Sequence, residues 1–551
     1  MHIQLVAIHP DLLSTRISLE LRRLGHKVDP FYRGHTTLPP KAGQHDLTLY
    51  LPLTQLPDPS RHTELCWYLQ LHAADGSSEW HTNSFQGPSL LTLWFMSPAY
   101  PQGRPGPSLP IPARMASWRS LLRREVSAAT LQLLRTALER PSDGIINKPN
   151  GRQCPALHPN SNALPTQPLP VDWQTDATST VLAKLLQADG GVPLSEELEG
   201  CAVELYGLRA ADTQLAASGR MGQAGEIIGS HEDAICRATQ DSALWIRQIR
   251  CLDHPRIPPL KLPATRVCAA VLPGEHLRPR AMRLSRRPAE DIRIQREGPI
   301  AKLYFDFYNG AIDTRHCQAL RSQLSAIKQS NLRILILMGG EDHFCTGIHL
   351  GTIEAAADSP LEAWHNIEAL NAVIRELIDT PDQLTLAALR APARAGGLML
   401  ALACDQVFAR EGTLLSPHFG ATAHFGSAYR SYLLPARTGL DAALGLLGHT
   451  QPLLAGEAQG LGLVDAVFPE DWVTYERELD TLCTAFLEPT TFGRLIKRKQ
   501  LRRMRDEAHK PLGEYRREEL EALRPALFDP HSHFHGARRH YVYKTLPPER
   551  H

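Results

Sequence analysis

The stretch Arg333–Leu350, RILILMGGEDHFCTGIHL, decides how the second half of the chain is read. RILILM is a short apolar, β-branched run with the length and content of a buried strand. GGEDHFCTGIHL breaks it with glycines and polar residues, and an amphipathic segment follows from about Thr352. A loop at the carboxyl end of a buried parallel strand is where α/β proteins place ligands, because backbone N–H groups there point outward unpaired.

The same unit recurs on both sides of this stretch. IAKLYFDFYNGAI reads as a strand running into a turn, and a helix is expected at about Cys317 to Lys328. A long helix is expected from Pro360 to Ile378. LTLAALRAPARAGG is another apolar strand breaking into a small-residue loop, and LMLALACDQVFAR follows as a buried helix leading to a strand. CTGIHL and ARAGGLML each place glycine where a strand gives way to a helix. Two such backbone donors converging on one carbonyl oxygen would form an oxyanion hole, which contributes several kcal/mol where charge develops on a thioester oxygen.

Towards the amino terminus the pattern is weaker. HIQLVAI reads as a strand at residues 2 to 8, Leu12 to Leu24 has helical spacing before Gly25, and Leu47 to Leu51 is a second strand. This β-α-β opening suggests a small doubly wound domain, and its first turn lacks the G-x-G-x-x-G of a dinucleotide site. Trp118 to Glu139 reads as a helix, and the Pro- and Asn-rich residues 141 to 170 as a linker. From 171 to 267 come a helix near Asp176 and short runs such as CAVELYGLRA and SALWIRQIRC, spaced as in a small β-barrel.

Composition narrows the function classes. The 551 residues are too many for one core, and a net charge of +1 provides no global field to recruit nucleic acid or an anionic membrane. The start has no signal-peptide pattern and no stretch is apolar enough to span a bilayer, so a cytoplasmic location is expected. Ten cysteines occur singly, without C-x-x-C, which argues against zinc ribbons and a disulfide framework; no metal site is expected, from them or from the histidines of the tail HSHFHGARRH. Cys345 reads as a small buried turn residue, and the basic run Lys497 to Arg505 as a solvated face.

Several segments together carry a resemblance. YFDFYNGAI, ILMGGEDHFCTGIHLGTIEAA, SPLEAWHNIEALN, LTLAALRAPARAGGLMLALACDQVFAR, SPHFG and FGSAYRSYLLPARTG resemble the crotonase (enoyl-CoA hydratase/isomerase) superfamily, and within it the HypX/HoxX family of hydrogenase maturation factors. VDW, LLQADGGVP and LYGLRAA resemble that family's barrel segment. The resemblance implies an α/β multidomain protein: a formyltransferase-like doubly wound domain at 1–150, a linker and small β-barrel domain at 151–284, and a crotonase ββα-spiral domain with C-terminal helices at 285–551. The activity it implies is transfer of a formyl group from 10-formyltetrahydrofolate to coenzyme A, followed by decarbonylation of formyl-CoA. The carbon monoxide would become a ligand of the iron in [NiFe]-hydrogenase. An acyl-CoA is the implied ligand, and the hydrogenase large subunit or other maturation proteins the implied partners.

Carried onto this sequence, the resemblance makes the N–H of Ile348 one oxyanion donor and that of Gly396 the other, with Gly397 a close alternative. Thr346 and Gly347 join Gly397 as coenzyme A-binding positions, and His418 and Tyr429 are the candidate catalytic side chains. There are departures. Met399 and His418 stand where hydratases carry two glutamates, so water addition to an alkene is not expected. GSAYR replaces the family's G-S-E-Y-W, placing Ala428 at the glutamate and Arg430, read as facing water, at the tryptophan. LTQLPDPSRHTELCW lacks the formyltransferase histidine motif, and Ser89 and Thr92 offer no carboxylate. His62, His72 and His81 lie nearby without the motif's neighbours, so loss of folate-dependent transfer is expected.

Overall fold

The strand expected at residues 2 to 8 is β1 (His2–Ala7), and the helix that follows it is Leu12–Arg23. Asp11 starts this helix by accepting the Ser14 N–H at 2.7 Å while its own N–H donates to Ser14 Oγ, and Gly25, at φ +87°, ends it. β1 lies parallel to β2 (Lys27–Tyr32) and β3 (Leu47–Tyr50), and β4 (Cys66–Ala73) continues the parallel run. β5 (Ser89–Ser97) and β6 (Tyr100–Ile111) return antiparallel, giving the order β2-β1-β3-β4-β5-β6. Ile3 and Leu5 pack towards Ile17, Leu21, Leu131 and Leu134 on one face, while Val6, Tyr50, Tyr68 and Trp94 form a second cluster. Core on both faces is what a doubly wound sheet requires.

The computed structural model describes residues 1–7, 11–32, 45–52, 65–73, 89–97, 100–111, 118–139, 168–188, 193–211, 222–272, 291–419, 426–448 and 450–544. His62, His81, most of the LTQLPDPSRHTELCW stretch and most of the expected linker lie outside them. Packing divides the chain into 1–229 with 235–246, and 230–234 with 247–551.

The first of these units also holds the helix Thr178–Ala188 and strands of the expected barrel. β7 (Leu169–Pro170), β8 (Leu194–Leu198) and β9 (Cys201–Tyr206) form one ladder. β10 (Arg209–Ala210), β11 (Ile227–His231), β12 (Ala234–Ala238) and β13 (Ala243–Ile246) form a sheet in the order β10-β13-β12-β11.

The second unit begins with a hairpin of β14 (Gln248–Cys251) and β15 (Lys261–Pro263). Its long strands are β16 (Ile292–Glu297), β17 (Ile300–Phe305), β19 (Ile334–Leu337), β21 (Leu384–Leu389), β23 (Gln406–Arg410) and β25 (Ala466–Phe468), in that spatial order, parallel after the first pair. β19 is central. Ile334 and Ile336 face a core with Tyr475 and Leu479, whereas Leu335 and Leu337 face one with Leu320, Leu324 and Leu377, so RILIL reads as unbroken apolar sequence. Four long strands are each followed by a short one: β18 (Ala311–Ile312), β20 (Gly347–Ile348), β22 (Ala393–Arg394) and β24 (Leu414–Ser416). The short strands pair among themselves, β18 with β20 and β22 with β24, and each leads towards a helix, producing the repeated turns of a ββα spiral.

Candidate functional site

The site is assembled where two of these turns meet. Thr346 braces the first loop: its N–H donates to the Gly310 carbonyl at 2.8 Å and its hydroxyl to the Asn309 carbonyl at 3.2 Å. Gly347, at φ +90°, turns the chain into Ile348, and the His349 N–H donates to Asn366 Oδ1 at 3.1 Å. The second loop is bolted to the first. Cys345 bridges to Ala393, the Arg394 N–H donates to the Cys345 carbonyl at 3.0 Å, and the Ala395 N–H donates to the Ser416 carbonyl at 2.8 Å. Ala395 holds the rare combination φ 46°, ψ −125°, which sets the peptide plane ahead of Gly396. Gly396 opens the helix Gly396–Leu402, whose first N–H groups have no acceptor within the helix.

Glycine is favoured by dihedral angle at Gly347 and by contact at Gly396 and Gly397. A Cβ on Gly347 would lie 3.4 Å from the Gly396 nitrogen, and one on Gly396 would lie 2.7 Å from Leu370 Cδ2 and 3.9 Å from Ala428 Cβ. A Cβ on Gly397 would instead run into the Cys345 carbonyl and lie 2.7 Å from Cys345 Cβ. Gly397 is thus a packing glycine against the first loop, whereas Gly396 faces Gly347 backbone to backbone. Cys345 is fully buried, and burial pushes its thiol up to about 11, in keeping with a turn residue that stays protonated.

A third segment closes on this pair. Ala428 and Tyr429 are consecutive left-handed residues, at φ 67° and 56°, and side chains from two distant helices hold them. The Ala428 N–H donates to Asn371 Oδ1 at 3.0 Å, the Tyr429 N–H to Glu519 Oε2 at 2.9 Å, and the Ser431 N–H and hydroxyl to Glu519 Oε1 at 2.7 and 2.6 Å. Burial pushes both the Glu519 carboxyl and the Tyr429 phenol up, the latter against the influence of Arg375. Asn371 is 1% exposed and its Nδ2 has no partner among the described atoms.

The structure therefore gathers Thr346, Gly347, Ile348, Gly396, Gly397 and the Ala428–Tyr429 pair. His418 follows β24 and is half-buried. Met399 is fully buried in the apolar core. Arg430 does not simply face water: its guanidinium lies 5.4 Å from the Phe419 ring centre, close against Gly426, and burial lowers its pKa. Nor is the basic run wholly a solvated face, since the Lys499 ammonium donates at 2.7 Å to both the Gln383 carbonyl and Asp405 Oδ2. Asn371 and Glu519 were missed in the sequence. The signal available for the first was a pair of asparagines, Asn366 and Asn371, both buried on the otherwise apolar face of the helix Ser359–Ile378.

Beside the β18–β20 pair lies a buried ionic cluster. Asp313 caps the helix Thr314–Lys328, and its carboxylate is 3.0 Å from His316 Nδ1. His316 Nε2 lies 3.3 Å from Asp233 and 3.6 Å from Asp291; Arg315 pairs with Asp233, and Arg247 with Asp291 at 2.6 Å. Burial disfavours the imidazolium, yet hydrogen bonds and charges from Asp291 and Asp313 raise its pKa to about 9. His349, next to Ile348, is lowered to about 4 by burial, and its Nδ1 accepts the Thr352 N–H at 3.1 Å, which requires the neutral ring.

Residues 300–511 match the family model described as enoyl-CoA hydratase/isomerase. The hydrogenase maturation factor HoxX of Bradyrhizobium diazoefficiens is 36% identical over 381 residues, which are 68% of this chain and 64% of that protein, a little under two thirds of its length. The putative enoyl-CoA hydratase/isomerase YngF of Bacillus subtilis is 35% identical over 140 residues, 25% of this chain and 52% of that one. Among solved structures, HypX from Aquifex aeolicus in complex with tetrahydrofolic acid aligns with a TM-score of 0.83 at 26% identity, covering 100% of this chain and 97% of that one. With a crotonase-type spiral in its second half and a HypX-like architecture along its whole length, this chain is similar to the HypX/HoxX maturation factors.

Proposed function

We propose that the protein serves hydrogenase maturation by generating carbon monoxide from formyl-CoA in its crotonase-type unit. The observation that supports this reading is the close backbone approach of Gly347 and Gly396, beside which the N–H groups of Ile348 and Gly396 would act as the donor pair for one thioester oxygen. Decarbonylation of formyl-CoA balances without an oxidant or reductant: the C–S bond and the formyl C–H bond break, carbon monoxide leaves, and the thiolate sulfur takes the proton. In this reading Tyr429 and His418 are the groups that act on that proton, and the buried Tyr429 phenol acts as its neutral hydroxyl. Thr346, Gly347 and Gly397 shape the loop that receives coenzyme A. Hydration is not proposed, because the Met399 thioether can neither donate nor remove a proton.

A second reading is favoured by Met399 and Ala428, both buried and neither able to transfer a proton. Under it the unit binds coenzyme A but does not turn over, and the protein acts as a scaffold towards the hydrogenase large subunit or another maturation protein. Purified protein given formyl-CoA in the presence of haemoglobin separates the two. Formation of the carbonmonoxy spectrum supports the first reading; its absence, with coenzyme A binding intact by isothermal titration, supports the second. For the N-terminal unit we propose loss of folate-dependent transfer with the sheet retained. Micromolar binding of a folate analogue together with formyl transfer to coenzyme A would overturn that.

A further inference from the structure

In the N-terminal sheet, three side chains from neighbouring segments meet at its amino-terminal edge. His2 begins β1, Asp29 lies on β2 and His45 stands just ahead of β3, and their ligand atoms all lie within 4.8 Å of one another. His2 Nε2 is 2.6 Å and His45 Nε2 3.4 Å from the same oxygen, Asp29 Oδ2, with the two ring centres 4.4 Å apart. The backbone holds this arrangement. In the parallel register Gln4 stands opposite Asp29, the His2 N–H donates to Asp46 Oδ2 at 2.7 Å, and the Asp46 N–H donates to the His2 carbonyl at 2.8 Å.

The His45 side chain is only 7% exposed, and its buried Nδ1 has no partner among the described atoms. Its ring is thus oriented almost entirely by what happens at Nε2, where it shares one carboxylate oxygen with a second imidazole. We propose that His2, Asp29 and His45 form a binding site for a divalent transition-metal ion of the imidazole-preferring kind, such as Zn²⁺ or Ni²⁺. Two imidazole nitrogens and one carboxylate oxygen are a donor set such ions take, with water completing the shell.

The distances are close to those needed. Bonds of about 2.1 Å in a tetrahedral site place neighbouring ligand atoms about 3.4 Å apart. His45 Nε2 and Asp29 Oδ2 already have that separation, at 3.4 Å. His2 Nε2 must withdraw by about 0.8 Å, which a small rotation of the ring at the strand's first residue supplies. The site is reachable from solvent, because the side chains of His2 and Asp29 are 25% and 49% exposed. The buried Asp233–Asp313–His316 set differs, because Arg315 already pairs with Asp233 and His316 with Asp313. Ligands of α/β sheets usually bind beyond the carboxyl ends of the strands, so an ion at the opposite edge would brace β1, β2 and β3 rather than join formyl chemistry.

The test uses the full, untagged chain titrated with Zn²⁺ and separately with Ni²⁺ by calorimetry, with bound metal counted by mass spectrometry. One ion per chain and a raised melting temperature are expected. Binding should weaken at least about 100-fold in Asp29→Asn and in His45→Gln, since an inner ligand outweighs the 10–100-fold typical of outer partners. The control His533→Gln/His535→Gln should bind as the parent does. Absence of stoichiometric binding by the parent, or undiminished binding by the two site variants, overturns the proposal. If a site variant fails to fold, the visible spectrum of the parent with Co²⁺ decides. Intense absorption of a low-coordinate N/O site supports the proposal, and the weak spectrum of the hydrated ion overturns it.

Discussion

Two loops border the candidate thioester site, and they are built in opposite ways. The first, from Cys345 to Ile348 with its partner from Ala393 to Gly397, is held mainly by main-chain hydrogen bonds, with Gly397 packed against the Cys345 carbonyl. The second, from Ala428 to Ser431, is held by Asn371 and Glu519, side chains 57 and 90 residues away. A loop secured by backbone can keep its geometry while surrounding side chains change. A loop secured by side chains depends on a few particular residues.

Substitutions can break this contrast. The largest effect is expected at Gly397→Ala, where the new methyl has no room beside the Cys345 carbonyl; a loss of roughly 3 kcal/mol is expected, read by urea denaturation. On the second loop, Glu519→Ala removes an acceptor of two N–H groups and a hydroxyl. It should cost about 2 kcal/mol and weaken coenzyme A binding by calorimetry, whereas an unchanged denaturation midpoint would show that the clamp is idle.

The ionic cluster beside the first loop predicts a pH optimum. His316, raised to about 9 in the fold, contributes stability that is complete below about pH 6.5 and is lost as pH rises through 9. His349, lowered to about 4, contributes stability that is complete above about 6.5 and declines as pH falls towards 4. Denaturation across pH 4 to 9.5 should show a maximum near 6.5, falling on the order of 1 kcal/mol on each side. His316→Gln should flatten the alkaline limb. The smallest effect is expected for Met399→Leu, below about 1.5 kcal/mol with coenzyme A affinity unchanged, because the thioether serves as core filling.

Much of this architecture was legible in the sequence because it rests on local pattern. RILIL is apolar at every position since β19 has core on both faces, and the helices Leu12–Arg23 and Ser359–Ile378 end close to where their periodicity ends. The glycines of CTGIHL and ARAGGLML marked the meeting point of the loops. Choosing between Gly396 and Gly397 was beyond periodicity, since only the packing of Cys345 against one of them distinguishes the pair. The same limit hid Glu519, a carboxylate on a helix that reads as amphipathic and solvated, and the set of His2, Asp29 and His45, which no ligand spacing connects. Arg430 and Lys499 looked like surface charges because a sequence does not reveal which long stems are covered by a ring or reach a buried carbonyl.

Glu519 carries one more implication, for the order in which the protein becomes complete. The family match ends at residue 511, yet the carboxylate that holds Tyr429 and Ser431 sits on the helix Leu512–Phe528. A chain cut at the family boundary would keep the spiral and lose the fastener of its second loop. At roughly 5 to 20 residues per second, synthesis of the 90 residues separating Tyr429 from Glu519 takes about 5 to 18 seconds. For that interval the residues of the backbone-built loop are all made while the other loop lacks its fastener, and a helix synthesised later is what closes it.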